Sequence, residues 1–210
     1  MESNEKQLLR KRHKELRAQM SASEVKDKSK EICNRFLKSS WYLETKRIFG
    51  YYPLGNEVDC LLVLRQALSD GKRVALPRTE ADCRMDFYEI TSIEQVEEGA
   101  FHVMEPQKGC QLVLPSKKAE ENRNSMEEVV LVPGVVFDKM GNRYGYGKGY
   151  YDRYFARFPQ IERIAFAYEN QLEDEIETLI TDVKMHSIYT EQTAYRRSDD
   201  FYAMVSGKRR

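Results

Sequence analysis

The sequence predicts an α/β protein, a three-layer α/β/α arrangement around a mostly parallel central sheet. Three observations predict it. Residues 47–77 read strand, helix, strand, a βαβ unit that wants a parallel pair joined by a right-handed crossover. Residues 129–132 (VVLV) and 163–168 (RIAFAY) are short, apolar runs of the kind a central strand shows when both faces are buried. The length of 210 residues suits one domain of this class, so a single unit over 1–210 is expected.

Taken in order, residues 4–20 read as a helix with Leu9, Leu16 and Met20 along an apolar stripe. Lys6, Arg10, Lys14 and Arg17 recur at helical spacing as a second, cationic stripe. Ser21 and Glu24 form a capping-box pattern, in which the hydroxyl bonds the backbone three residues on and the carboxylate reaches back. It opens a helix over about 22–38 with Val25, Ile32, Cys33 and Phe36 toward the core. This helical segment, about 4–38, is expected to pack on the sheet.

A strand follows at 47–52 (RIFGYY), then a helix at 59–69 carrying Leu61, Leu62, Leu64 and Leu68 and stopped by Gly71, then a strand at 73–77 (RVALP). Residues 85–90 (MDFYEI) read as a further strand and 99–109 as loop. Residues 116–128 are polar, with Lys117, Lys118, Glu120, Glu121, Arg123, Glu127 and Glu128, and read as a solvated excursion. A late strand region is expected at 187–195. No internal repeat or low-complexity segment interrupts the pattern.

Composition narrows the function classes. Lys+Arg and Asp+Glu both number 34, a balance that argues against a general nucleic-acid binder. No apolar run approaches the roughly 18 residues of a membrane span. Residues 1–14 are charged throughout and lack the apolar stretch of a secretory signal. Cys33, Cys60, Cys83 and Cys110 are scattered with no CxxC pair, against the usual zinc spacing. They read as reduced thiols of a cytoplasmic protein. A monomer with no nucleic-acid or membrane partner is expected.

The chemistry concentrates in residues 132–154, VPGVVFDKMGNRYGYGKGYYDRY. A buried strand ends at Pro133-Gly134, and three glycines then alternate at Gly145, Gly147 and Gly149. Alternate glycines let a backbone take φ > 0 and approach a ligand without Cβ interference. Successive N–H groups in such a turn form an anion-binding concavity, strengthened by a helix N-terminus. Arg143 and Lys148 add full positive charges, and Tyr150-Tyr151-Asp152 opens a helix continuing through Phe155 and Phe158. The requirement this fits is a polyphosphate. The spacing is neither GxxxxGK[ST] nor the GxGxxG of a first βα turn.

The run GNRYGYGKGYYDRY at 141–154 closely resembles the signature of the 5-formyltetrahydrofolate cyclo-ligase family. Segments at 6–10 (KQLLR), 51–57 (YYPLGNE) and 101–106 (FHVMEP) are similar to that family in order and spacing, so the likeness spans essentially the whole chain. The resemblance implies a layered α/β/α fold. It also implies ATP-dependent closure of 5-formyltetrahydrofolate to 5,10-methenyltetrahydrofolate, with Mg²⁺, ADP and phosphate. In that reaction ATP phosphorylates the formyl oxygen to an iminium phosphate, which N10 attacks.

The resemblance further implies that Lys6, Gln7, Leu8, Leu9 and Arg10 hold the nucleotide together with Arg143, Tyr144, Gly145, Tyr146, Gly147, Lys148, Gly149, Tyr150 and Tyr151. Arg143 and Lys148 would be the catalytic cations that absorb charge on the transferring phosphoryl group. Asp152 and Asp182 would contact the metal. Tyr52 and Glu57 would hold the pterin, with Tyr146, Gly147, Lys148, Gly149 and Tyr150 beside the substrate. Tyr146 departs from the pattern, since many members carry Arg there, so one phosphate contact is absent or supplied elsewhere.

Each feature has a plainer reading when taken alone. Lys6 and Arg10 suit a solvated helix face, Tyr150 and Tyr151 core packing, Glu57 a surface turn, and alternate glycines a surface loop. His13, His102 and His186 share no ligand spacing and receive no catalytic role. Two other classes stay open. One is a different phosphate-ligand enzyme, such as a sugar-phosphate isomerase or CoA transferase, which would not need the metal-binding Asp after the glycines. The other is a folate-storage protein, which would have no use for the triphosphate constellation.

Overall fold

The computed structural model describes residues 3–80, 83–99, 102–116, 127–179 and 181–197. The chain opens with helix α1 (Asn4–Ala18), N-capped by the Ser3 hydroxyl, and helix α2 (Ala22–Leu37). At Ser21 both halves of the capping box form, as its spacing with Glu24 requires. A short helix α3 (Ser40–Glu44) follows, capped by Ser39. Five residues are too few to show a helical period in the sequence.

Strand β1 (Arg47–Phe49), helix α4 (Leu61–Ser69) and strand β2 (Arg73–Thr79) make the expected βαβ unit, with β1 and β2 parallel. The first strand is shorter than the 47–52 expected. Gly50 still donates to Ala75 O, and the chain then leaves the sheet toward the functional cavity. Gly50 also lets that turn press onto α4, since a Cβ there would lie 2.7 Å from Leu64 Cδ2.

Strand β3 (Met85–Ile90) runs antiparallel to β2. Residues 99–109, expected as loop, contain a strand, β5 (Met104–Pro106), which pairs with β4 (Val96–Glu98). A three-residue strand on a small ribbon leaves too short an alternation to read. Strand β6 (Leu112–Val113) borders β3. Most of the polar stretch at 116–128 lies outside the described residues, as does Phe101.

Strand β7 (Glu128–Val132) is buried throughout. Strands β8 (Val136–Asp138) and β9 (Arg143–Tyr144) form a small hairpin, and helix α5 (Tyr150–Arg157) leads to β10 (Glu162–Phe166). Strand β11 (Leu172–Glu173) joins β8, and a final hairpin consists of β12 (Ser187–Tyr189) and β13 (Ala194–Arg196).

The main sheet has eight strands in the order β13-β12-β10-β7-β1-β2-β3-β6. Its centre, β12 through β2, is parallel, and antiparallel strands complete both margins. Alternating side chains divide between two cores, which is why these strands read as continuous apolar runs. Ile48, Val74, Val129, Leu131 and Ile164 face α2 and α4, against Ile32, Phe36, Val63 and Leu64. Phe49, Ala75, Val130, Val132 and Ala165 face α5, against Tyr154 and Phe155. Two apolar faces covered by helices make the expected three-layer arrangement. Phe36 packs edge-on against Tyr42, Phe166 and Tyr189, and truncating so embedded a ring costs about 3–5 kcal/mol.

Candidate functional site

In open parallel sheets, ligands bind beyond the carboxyl ends of the strands. Here the chain beyond β1 (Tyr51, Tyr52, Leu54, Glu57), the end of β2 (Pro77, Thr79) and Pro133 after β7 wall one cavity of about 780 Å³. That volume suits a drug-sized or cofactor-sized ligand. The other walls are α1, the 145–149 glycine loop, the first turn of α5 and residues around 177–182.

One end is cationic. On α1, Lys6 and Arg10 are one helical turn apart, and both reach the cavity. The Lys6 ammonium lies 4.5 Å from the Tyr144 ring centroid and 2.9 Å from Asp182 Oδ2. Arg10 Nε donates to Gly145 O at 2.6 Å, so α1 holds the glycine loop from outside. Burial lowers the Arg10 pKa. Gln7 and Leu8 are exposed and do not line the cavity, and Leu9 packs against the small core of Val135, Val136, Tyr144 and Ile176.

Arg143 is buried on β9, its Nη2 3.2 Å from Asp152 Oδ1 and its guanidinium carbon 5.5 Å from the Tyr151 ring centroid. Lys148 is exposed at the loop tip, and its ammonium joins no ion pair among the described residues.

The glycines do different work. Gly147 (φ 93°) and Gly149 (φ 66°) take the left-handed conformation, and Gly149 caps α5 directly. Gly145 does not. A Cβ there would lie 2.7 Å from Arg143 Nη1, so a larger residue would have to displace the guanidinium from Asp152. The loop therefore wraps the arginine and delivers the chain to a helix N-terminus that opens on the cavity.

Asp152 and Asp182 both stand on the cavity wall, and each is already held by a cation. Asp182 Oδ2 also accepts from the Leu179 amide. Among the described residues, no group of three or more His, Cys, Asp or Glu could enclose a metal. This donor set fits magnesium in its usual mode, one or two carboxylates completed by phosphate oxygens and water. It does not fit a closed protein cage.

The other end is apolar and aromatic. Tyr51, Tyr52, Met85, Val103, Tyr150 and Tyr151 contribute to it, and Glu57 is a buried carboxylate there, at 5% exposure. Its Oε2 accepts from the Leu54 amide at 2.9 Å and its Oε1 from the Tyr146 hydroxyl at 2.8 Å. Burial raises its pKa, and the Leu54 bond, Arg17 and the Tyr146 bond oppose the rise. Tyr146 thus spends its hydroxyl on Glu57 rather than on the cationic end.

Sequence reasoning assigned no role to Arg17, Thr79 or Glu105. Arg17 was visible as the last member of the cationic stripe on α1. Buried at 7% exposure, it donates to the Tyr146 hydroxyl and to Gly134 O. Glu105, in the segment similar to the family's mid-chain motif, accepts from the Thr79 amide and hydroxyl on the cavity wall. His186 lies away from the cavity, where its Nδ1 accepts from the Arg163 amide. Burial and Arg163 push its pKa down to about 2, so the ring is neutral.

The fold and cavity define a class of protein: a three-layer α/β/α scaffold with a cationic glycine loop beside an aromatic pocket that bears the buried carboxylates Glu57 and Glu105. Residues 2–191 match the model of the 5-formyltetrahydrofolate cyclo-ligase family, and the chain belongs to that family.

A Caenorhabditis elegans protein named "Probable 5-formyltetrahydrofolate cyclo-ligase" is 27% identical over 194 residues, 87% of this chain and 91% of the relative. The 5-formyltetrahydrofolate cyclo-ligase of Mus musculus is 26% identical over 183 residues, 83% of this chain and 87% of the relative. The solved structure of 5,10-methenyltetrahydrofolate synthetase from Aquifex aeolicus superposes with a TM-score of 0.76 at 28% identity, covering 92% of this chain and 93% of that one. No helix among the described residues is long and apolar enough to cross a membrane.

Proposed function

We propose that the protein converts 5-formyltetrahydrofolate to 5,10-methenyltetrahydrofolate, consuming ATP to ADP and phosphate. One observation carries this reading. A single cavity joins a cationic glycine-loop end to an aromatic end with a buried carboxylate, so a triphosphate and a pterin can lie in contact. Glu57 suits the pterin edge, whose adjacent N–H donors match a carboxylate acceptor. Tyr52, Tyr150 and Tyr151 suit its flat face.

The formyl oxygen of an amide is a poor leaving group. In the proposed reaction it attacks the γ-phosphorus and ADP departs, leaving N5=CH–O–phosphate. N10 then bonds to that carbon, phosphate leaves with the C–O electron pair, and N10 gives up its proton to solvent. No protein nucleophile is needed. Positioning and charge neutralisation supply most of such catalysis, and Lys6, Arg10, Arg143 and Lys148 are the cations available for it. When bound, magnesium neutralises phosphate charge, and Asp152 and Asp182 would hold it.

The test is absorbance in the methenyl product band after mixing protein with 5-formyltetrahydrofolate and magnesium, with and without ATP. A band that grows only with ATP is expected. No band, or one indifferent to ATP, overturns the proposal.

A further inference from the structure

We infer that Tyr146 is a positioning residue that couples the two ends of the cavity, so that nucleotide and folate each tighten the other's binding. The inference rests on the folate-and-ATP reading above. Its basis is a part-buried chain of donors: the Arg17 guanidinium donates to the Tyr146 hydroxyl, which donates to Glu57 Oε1 at 2.8 Å. Tyr146 sits between Gly145 and Gly147, so any ligand that orders the glycine loop also fixes this hydroxyl.

Both ends of the chain are anchored elsewhere. Arg17 also donates to Gly134 O, and the Asn56 amide group donates to Arg17 O at 3.1 Å, tying α1 to the segment that carries Glu57. The Glu57 backbone carbonyl accepts from Tyr168 at 3.1 Å, which fixes its main chain. The Glu57 carboxylate is held at one oxygen by the Leu54 amide of its own segment and at the other by Tyr146 of the glycine loop, so the loop sets half of its orientation.

Nucleotide in the glycine loop therefore pre-orients the acceptor that the pterin must meet. The second ligand then pays less ordering entropy, which is positive coupling without a change of fold. Linkage makes the effect reciprocal.

The experiment is titration calorimetry of 5-formyltetrahydrofolate with and without a non-hydrolysable ATP analogue and magnesium, on wild type and Tyr146→Phe. The phenylalanine keeps the ring under Lys14 and Arg17 and removes only the hydroxyl. Wild type is expected to bind folate about 5-fold or more tighter with the analogue, the lower range of allosteric coupling. In Tyr146→Phe the factor should fall to about 1, and because the factor is a ratio of folate affinities with and without saturating analogue, any change in affinity for the analogue alone drops out of it.

A pH series gives a readout that packing alone would not move. Without its donor, Glu57 protonates more readily, so folate binding should weaken from a higher pH than in wild type. The groups facing that carboxylate are Arg17 from α1, Tyr146 from the loop, Tyr151 from α5, and Tyr51 and Cys60 from the segment between β1 and α4. Equal coupling factors in wild type and mutant, or a wild type that binds both ligands independently, overturn this inference alone. A wild type that binds neither overturns the functional reading with it.

Discussion

Lys6 and Asp182, 176 positions apart in the chain, meet through a 2.9 Å ion pair on the wall of the cavity. Both side chains are largely shielded, at 10% and 19% exposure. The pair joins α1 to the segment before β12, and it sets the charge that a phosphate would meet there.

Lys6→Ala should therefore act on the nucleotide more than on turnover. A lost charge-assisted bond costs about 1.5–3 kcal/mol, which is roughly 10- to 100-fold in KM for ATP. Initial rates against ATP concentration check this. An unchanged KM would show that Lys6 only holds Asp182.

Asp152→Asn tests the metal assignment and has a structural cost as well. Asp152 is the counter-charge of buried Arg143, whose side chain is 4% exposed. The carboxylate is partly exposed, so the loss sits below the buried-pair range, at about 1–2 kcal/mol. For a chain of this size the melting temperature should fall by about 2–8 °C. If the carboxylate also holds magnesium, activity should drop steeply and recover in part as magnesium rises. Rates across a magnesium series settle it, since overlapping curves would leave Asp152 as only the partner of Arg143.

Lys148→Ala removes an exposed cation from a polar loop tip, so the melting temperature should hold. Turnover should fall on the order of a hundredfold if the ammonium stabilises charge in the transition state. Near-normal turnover in the folded mutant would remove Lys148 from the chemistry.

Glu57→Gln should separate stability from function. The folded-state pKa of Glu57 is raised by burial. Between its ordinary value and that raised one, the native state binds more protons than the unfolded chain, so stability falls as pH rises through this window. Above the window the ionised carboxylate is a standing cost, and glutamine removes it while its one oxygen still accepts from the Leu54 amide and its NH2 group donates to the Tyr146 hydroxyl, reversing that bond. The mutant should melt at or above the wild-type temperature at neutral pH, yet lose about 10- to 100-fold in folate affinity. Melting curves from pH 4 to 8 for both proteins check the sign. A lower melting temperature for the mutant at neutral pH would refute it.

The parts legible in the sequence are those whose cause is local. The capping box at Ser21 and Glu24, the runs of β7 and β10, and the α5 start at Tyr150 follow from neighbouring residues. The role of Arg17 does not. Its partner Tyr146 is 129 positions away, and a buried arginine on a helix face looks in the sequence like its exposed neighbour Lys14. Gly145 was grouped with two left-handed glycines because spacing is visible and φ is not. Its reason is steric and lies in the side chain of Arg143. The β8–β9 hairpin was hidden for a similar cause: strands of three and two residues are set by pairing rather than by periodicity.

The strand order carries a consequence for how the chain acquires its shape. Arg47 pairs with Arg73 on one side and with Glu128 on the other, so β1 gains its second neighbour only after a long intervening stretch has been made. Local pairings close first because closing a long loop costs more entropy. The unit from β1 to β2 and the unit from β7 through β10 to β12 can thus each collapse early, while the β1–β7 pairing that joins them must wait for both. Catalytic competence is expected to be a late event in refolding, trailing the recovery of helical signal, because Lys6 and Asp182 are among the last residues to find each other.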